Sequence, residues 1–271
     1  MLREPSVAGA FYPAGRAELE ATLDRLVVGP GQTVAAVGAV SPHAGYMYSG
    51  RAAGGLFAAI EVPPTVVILG PNHRGVGARY GVYDEGAWRT PMGDTAVDEE
   101  LAAAILKEAE FLQADTASHL YEHSIEVQVP FLMYRRADVA IVPVSIGEHD
   151  FERLERLGSA IAAACASLDR EVLVLASSDM THYESAESAE RKDRMAIERM
   201  QALDEEGLWQ VVRSHRISMC GVAPAVAAIV AARRMGARDG RLISYMTSAE
   251  ATGDDREVVG YASLAFGKES Q

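Results

Sequence analysis

Short β-branched runs alternate along this chain with Ala-rich segments of helical period, and that alternation leaves few architectures open. Strands are predicted over 34–40, 65–70, 139–146, 172–176, 242–247 and 258–266. Helices are predicted over 51–60, 97–109, 122–134, 151–167, 185–201, 204–213 and 222–235, with Pro130 expected to kink the third or end its first half. Strand and helix in turn imply an α/β fold: a mostly parallel central sheet flanked by helices on both faces. At 271 residues and 49% hydrophobic content, with no repeat or Pro/Ser-rich linker, one domain over 1–271 is the expectation.

Charge and cysteine content exclude several function classes. The balance of 25 basic against 38 acidic residues gives −13 with no basic stripe, so nucleic acid is not an expected partner. The opening Met1-Leu2-Arg3-Glu4-Pro5 has no apolar signal-like stretch, and no segment has the run of about 18 apolar residues that a membrane span needs. Two cysteines, Cys165 and Cys220, are too few for a disulfide framework and suit a reducing compartment. A cytoplasmic protein is expected.

The histidines carry the chemistry. Three predicted strands run into polar turns that each hold one: Ser41-Pro42-His43-Ala44-Gly45, Pro71-Asn72-His73-Arg74-Gly75 and Ser177-Ser178-Asp179-Met180-Thr181-His182. The carboxyl ends of parallel strands share one rim, where ligands bind. A lone His after a strand is usually an ordinary turn residue, but three in equivalent positions point to a pocket. Gly45, Gly70 and Gly75 permit close backbone approach beside it.

Cys220 precedes the Ala/Val-rich segment near Val222, and a helix N-terminus favours a thiolate able to bind metal. Cys165, inside an apolar helix face, is assigned to the core. Two imidazoles and a thiolate suit Fe(II), Zn(II) or copper, and ligand type alone does not choose. His182 follows Asp179 by three residues; the carboxylate orients the imidazole, projects with it into the pocket as a second catalytic candidate, or caps the next segment, and His182 is the natural proton carrier. In Glu122-His123-Ser124-Ile125-Glu126, His123 and Glu126 share a face if helical, and both read as pocket-wall candidates with Asn72 and Tyr46. No second His follows at helical spacing, so a zincin motif is absent. His119, His149 and His215 read as solvated surface.

The segments REPSVAGAFYP (3–13), SPHAGY (41–46), LGPNH (69–73), EHSIEVQVPFL (122–132), SSDMTHY (177–183) and CG (220–221) together resemble the Memo family, whose microbial members are called AmmeMemoRadiSam system protein B. The resemblance runs from Arg3 nearly to the C-terminus. It implies a fold similar to the class III extradiol (LigB-type) dioxygenases, which hold non-haem Fe(II) through two His and one Glu. By motif His43 and His73 match the two His ligands, Cys220 stands where those dioxygenases have a carboxylate, and His182, with Asp179 beside it, matches their catalytic His. Fe(II) is the first expectation, and the softer thiolate shifts preference toward copper or zinc. Association with AMMECR-type and radical-SAM proteins in one pathway is also implied, as is a protein-interaction role known for animal members. Three readings follow: a metal-dependent redox enzyme, a non-catalytic module binding a metal, peptide or small molecule, and a zinc-type hydrolase.

Overall fold

The computed structural model describes residues 1–29 and 33–267. The chain opens with β1 (Leu2–Arg3), α1 (Arg16–Leu26), β2 (Ala36–Ser41), α2 (Tyr46–Ala59) and β3 (Thr65–Pro71). Three short strands, β4 (Tyr80–Val82), β5 (Ala87–Thr90) and β6 (Gly93–Ala96), precede α3 (Glu99–Glu108) and β7 (Gln113–Ala114). A 3-10 turn (Glu126–Gln128) leads into α4 (Val129–Arg135), β8 (Ala140–Ile146), α5 (Phe151–Ser167), β9 (Val172–Ser177) and β10 (His182–Glu184). Then come α6 (Ala186–Gln201), α7 (Glu205–Ser214), α8 (Val222–Arg234), β11 (Asp239–Thr247), α9 (Ala249–Thr252) and β12 (Val258–Gly267).

The centre of the main sheet is four parallel strands in the spatial order β2-β9-β3-β8. Alternate side chains enter opposite layers, as the strand period of two requires. Val66, Ile68, Leu173 and Leu175 pack with α1, α2 and α4, whereas Val67, Leu69, Val174 and Ala176 pack with α3, α5, α6, α7 and α8. Helix entry is fixed by side-chain caps: Asp98, Asp150, Ser185 and Asp204 accept hydrogen bonds from first-turn N–H groups of α3, α5, α6 and α7.

The expected parallel sheet forms the centre, and beyond it the sheet is mixed. β12 runs antiparallel to β2, β10 and β11, and β4 runs antiparallel to β8. For β11 and β12 the reason lies in connection length: only a one-turn helix separates them, and a parallel return needs a full crossover. A second, three-stranded sheet, β1-β5-β6, was not predicted, because its strands are short and polar. Pro130 lies in the first turn of α4, where its missing N–H costs nothing, so it starts a helix and does not kink one. No helix among the described residues is long and apolar enough to cross a membrane.

Candidate metal centre

β2, β9 and β3 are neighbours, so their carboxyl ends bring His43, Asp179 and His73 to one rim. His43 is buried in the turn before α2. His73 follows β3 in a loop shaped by Asn72, whose Oδ1 accepts the Gly75 N–H at 2.9 Å and whose Nδ2 donates to the Val76 carbonyl at 2.8 Å. Gly75 takes a φ of 63°, which its lack of a Cβ makes inexpensive. Across the end of β3 lies the stretch 122–125. Ser124 Oγ donates to the Pro71 carbonyl at 3.1 Å, and a Cβ on Gly70 would stand 2.6 Å from both Ile125 Cγ1 and Ser124 Oγ. Gly70 thus lets that stretch lie close enough to deliver His123.

His43, His73 and His123 each offer a nitrogen, all within 4.8 Å of one another, in a group that could hold a metal ion. The His73 and His123 rings stack 4.9 Å apart at 16°, and both meet His43 edge-on. The hydrogen bonds assign tautomers. Ser177 Oγ donates to the Ser124 carbonyl at 2.6 Å, so its lone pair takes Nδ1–H of His43 at 2.9 Å and leaves Nε2 of His43 bare. Gln128 Nε2 fixes the same hydroxyl at 2.9 Å.

His73 donates Nδ1–H to Glu122 Oε1 at 2.8 Å, which again frees Nε2. Glu122 also accepts the His73 and Ser124 backbone N–H groups at 2.7 and 3.0 Å. Burial opposes its ionisation, but the His73 hydrogen bond leads the effects that bring it down to about 2. A carboxylate behind a histidine orients the ring and raises its basicity toward a metal. Burial, then His123 and His73, hold His43 well below the ordinary imidazole range, and burial likewise lowers His123. Neutral imidazole is the ligand form.

Cys220 lies outside the three-imidazole group, with Sγ 3.2 Å from His43 Nε2. Because that nitrogen is bare, the thiol donates to it, and Sγ accepts the Asp179 N–H at 3.2 Å. Burial, then the Asp179 charge, pushes the thiol up, so the thiolate expected from the helix start is not favoured in the metal-free protein. Cys165 is buried in the core, its thiol raised to about 11 by burial.

Asp179 neither orients His182 nor caps a helix. Its Oδ1 accepts the His43 backbone N–H at 2.7 Å, and burial raises it to about 6. His182 is held by Ser218 instead: its N–H donates to Ser218 Oγ at 2.8 Å, and its Nδ1 faces the Ser218 carbonyl at 2.9 Å. Nε2 of His182 is therefore the atom left for chemistry.

Glu126 does not share a helix face with His123, which precedes the 3-10 turn. Its carboxylate accepts the Ser6 and Val7 N–H groups and Tyr12 Oη–H and pairs with buried Arg3 at 2.8 Å, so it anchors the N-terminal segment. That segment reaches the centre through Phe11, whose ring lies 4.8 Å from His123. Tyr46 is buried and donates to the Val127 carbonyl at 2.8 Å, a support for the same wall. His119 is fully buried against Tyr83 and Trp88, not solvated, and its carbonyl takes Arg3 Nε–H at 2.7 Å. His149 and His215 are exposed.

Fold and site define an α/β protein with a histidine-rich candidate metal centre at the carboxyl edge of a mixed sheet. The family model described as Memo-like protein matches residues 3–265. A MEMO1 family protein of Methanopyrus kandleri is 43% identical, with 98% of this chain and 99% of the relative covered. Others from Methanothermobacter thermautotrophicus and Aquifex aeolicus are each 40% identical, covering 98% of this chain and 100% and 99% of the relatives. The chain belongs to the Memo family. A solved structure of an uncharacterized protein of Escherichia coli K12 shares the fold at a TM-score of 0.50 and 14% identity, over 78% of this chain and 89% of that one.

Proposed function

We propose that this protein is a metal-dependent redox enzyme whose ion is held by His43, His73 and His123, with Cys220 as a further ligand once the metal displaces its proton. The observation that carries the reading is the pair of bare Nε2 atoms on His43 and His73, each fixed by a partner on the opposite ring nitrogen. Donors held in this way fit a metal; the family resemblance puts Fe(II) first, and the added sulfur favours copper or zinc. When bound, the ion supplies Lewis-acid and electron-transfer chemistry. The chain's own residues supply the rest. Asp179 fixes the His43 backbone, Glu122 fixes His73, and His182 moves a proton at Nε2.

The test is metal analysis of protein purified without oxygen or an affinity tag, followed by oxygen uptake of the Fe(II)- and copper-loaded forms with catechols and thiols. Loss of bound metal in His43→Ala and His73→Ala, with uptake confined to loaded wild type, is the expected result. One observation favours a second reading, a binding module. Met47, Val76, Leu120, Tyr121 and Tyr183 are exposed apolar side chains, and each lies within a few positions of a site histidine. Metal retention with no uptake for any substrate would select that reading.

A further inference from the structure

We propose that the open edge of β11 takes up an extended, acidic polypeptide segment of a partner protein as an added strand. β11 is a nine-residue strand that pairs only with β12, so among the described residues its other edge carries no ladder. Strand edges of this length are usually blunted by charge or proline, because free N–H and C=O groups recruit other chains. Between Gly240 and Thr247 this strand has one charged residue, Arg241, and no proline, and its one irregularity is a register shift between Leu242 and Ser244.

α2 and α6 pack against β11, and among the described residues no strand pairs with its free edge. A cavity of about 680 Å³ is lined by the consecutive run from Arg241 to Met246. Side chains on one face would contribute every second residue only. The cavity thus follows the strand from Arg241 to Met246 across the register shift at Leu242–Ser244, along its unpaired edge. Arg51, Gly55 and Ala59, one row of α2, line the same cavity with Leu26 of α1.

Charge selects the occupant. Arg25, Arg51 and Arg241 converge on the cavity against a single carboxylate, Glu250, which pairs with Arg51 at 3.0 Å. The chain as a whole carries −13, so this basic groove runs against its average. A second copy adding its own β11 by two-fold symmetry would bring the same arginines together, which costs free energy. An acidic strand gains both the ladder and the opposite charge.

The experiment is fluorescence polarisation of a fluorescein-labelled peptide of about seven residues alternating Val and Glu, a length that the strand spacing fits to β11. Two controls accompany it: a Lys-for-Glu version, and a version N-methylated on alternate residues so that one edge cannot pair. Saturable binding by the acidic peptide alone is expected. The Arg25→Glu/Arg241→Glu double variant, altered at exposed positions, should weaken binding about tenfold. Equal binding of the N-methylated peptide would refute strand addition, and no saturable binding up to millimolar peptide would refute the site. A concentration-dependent dimer in light scattering that Ser244→Pro abolishes would assign the edge to a second copy and overturn the proposal.

Discussion

Replacing Glu122 by Gln removes the charge that holds His73, and the structure sets the size of two effects. The carboxylate is buried and accepts the His73 ring N–H together with two backbone N–H groups. Its fall from 4.5 to about 2 corresponds to roughly 3 kcal/mol of stability, at about 1.4 kcal/mol per unit. The folded value is depressed, so this stability is fully present above the unfolded value and is lost as pH falls toward the folded one. The gap between wild type and Glu122→Gln in urea unfolding of the metal-free proteins should be about 3 kcal/mol at pH 7 and about 2 kcal/mol near pH 3.5. Metal affinity should fall about 10–100-fold, the usual cost of removing a carboxylate behind a ligating histidine, and Co(II) competition titration measures it. Wild-type affinity in the variant would refute the claim that Glu122 sets the His73 tautomer. A stability gap that does not shrink with acid would refute the ionised carboxylate.

His182→Ala should retain bound metal while turnover falls about 10²–10⁴-fold, checked by metal analysis beside oxygen uptake, because His182 is held by Ser218 and not by the imidazole group. Cys220, half-buried at the rim, should be alkylated slowly in metal-free protein and shielded in metal-loaded protein, whereas Cys165 stays unlabelled, as read by peptide mass spectrometry. Gly70→Ala should cost about 1–3 kcal/mol in denaturant unfolding and weaken metal binding, since its Cβ would push Ser124 and Ile125, and with them His123, off the rim.

His43 and His73 were legible because a residue just past a parallel strand has its place in the sheet fixed by the strand itself. His123 was legible only as a pocket wall. Its approach depends on the stretch 122–125 crossing the end of β3 at Gly70, a contact between segments more than fifty residues apart. Glu122 escaped for the same reason: its pairing with His73 spans 49 positions. Asp179 shows how local spacing misleads, since the three-residue interval to His182 suggested a pair while the fold turned the carboxylate under the His43 backbone. In place of one helix across 122–134 the chain forms a 3-10 turn at Glu126–Gln128 that leads into α4, while the side chains of Ser124, Glu126 and Gln128 reach distant partners. Apolar periodicity reports which face is buried, and it is silent on such polar links.

Arg3 sets a timetable for synthesis. Its guanidinium lies 4.1 Å over the Trp88 ring and donates to the carbonyls of His119 and Glu122, the latter 119 positions downstream. At about 5–20 residues per second the ribosome needs roughly 6–24 s to supply those partners. Throughout that interval the segment bearing Phe11 is tied by the Tyr46 N–H on the Phe11 carbonyl but lacks the carboxylate of Glu126, which takes Ser6, Val7 and Tyr12. The histidine cluster therefore closes only after the chain is nearly half made, and a nascent chain stalled before Glu122 lacks both the carboxylate behind His73 and the third imidazole, His123.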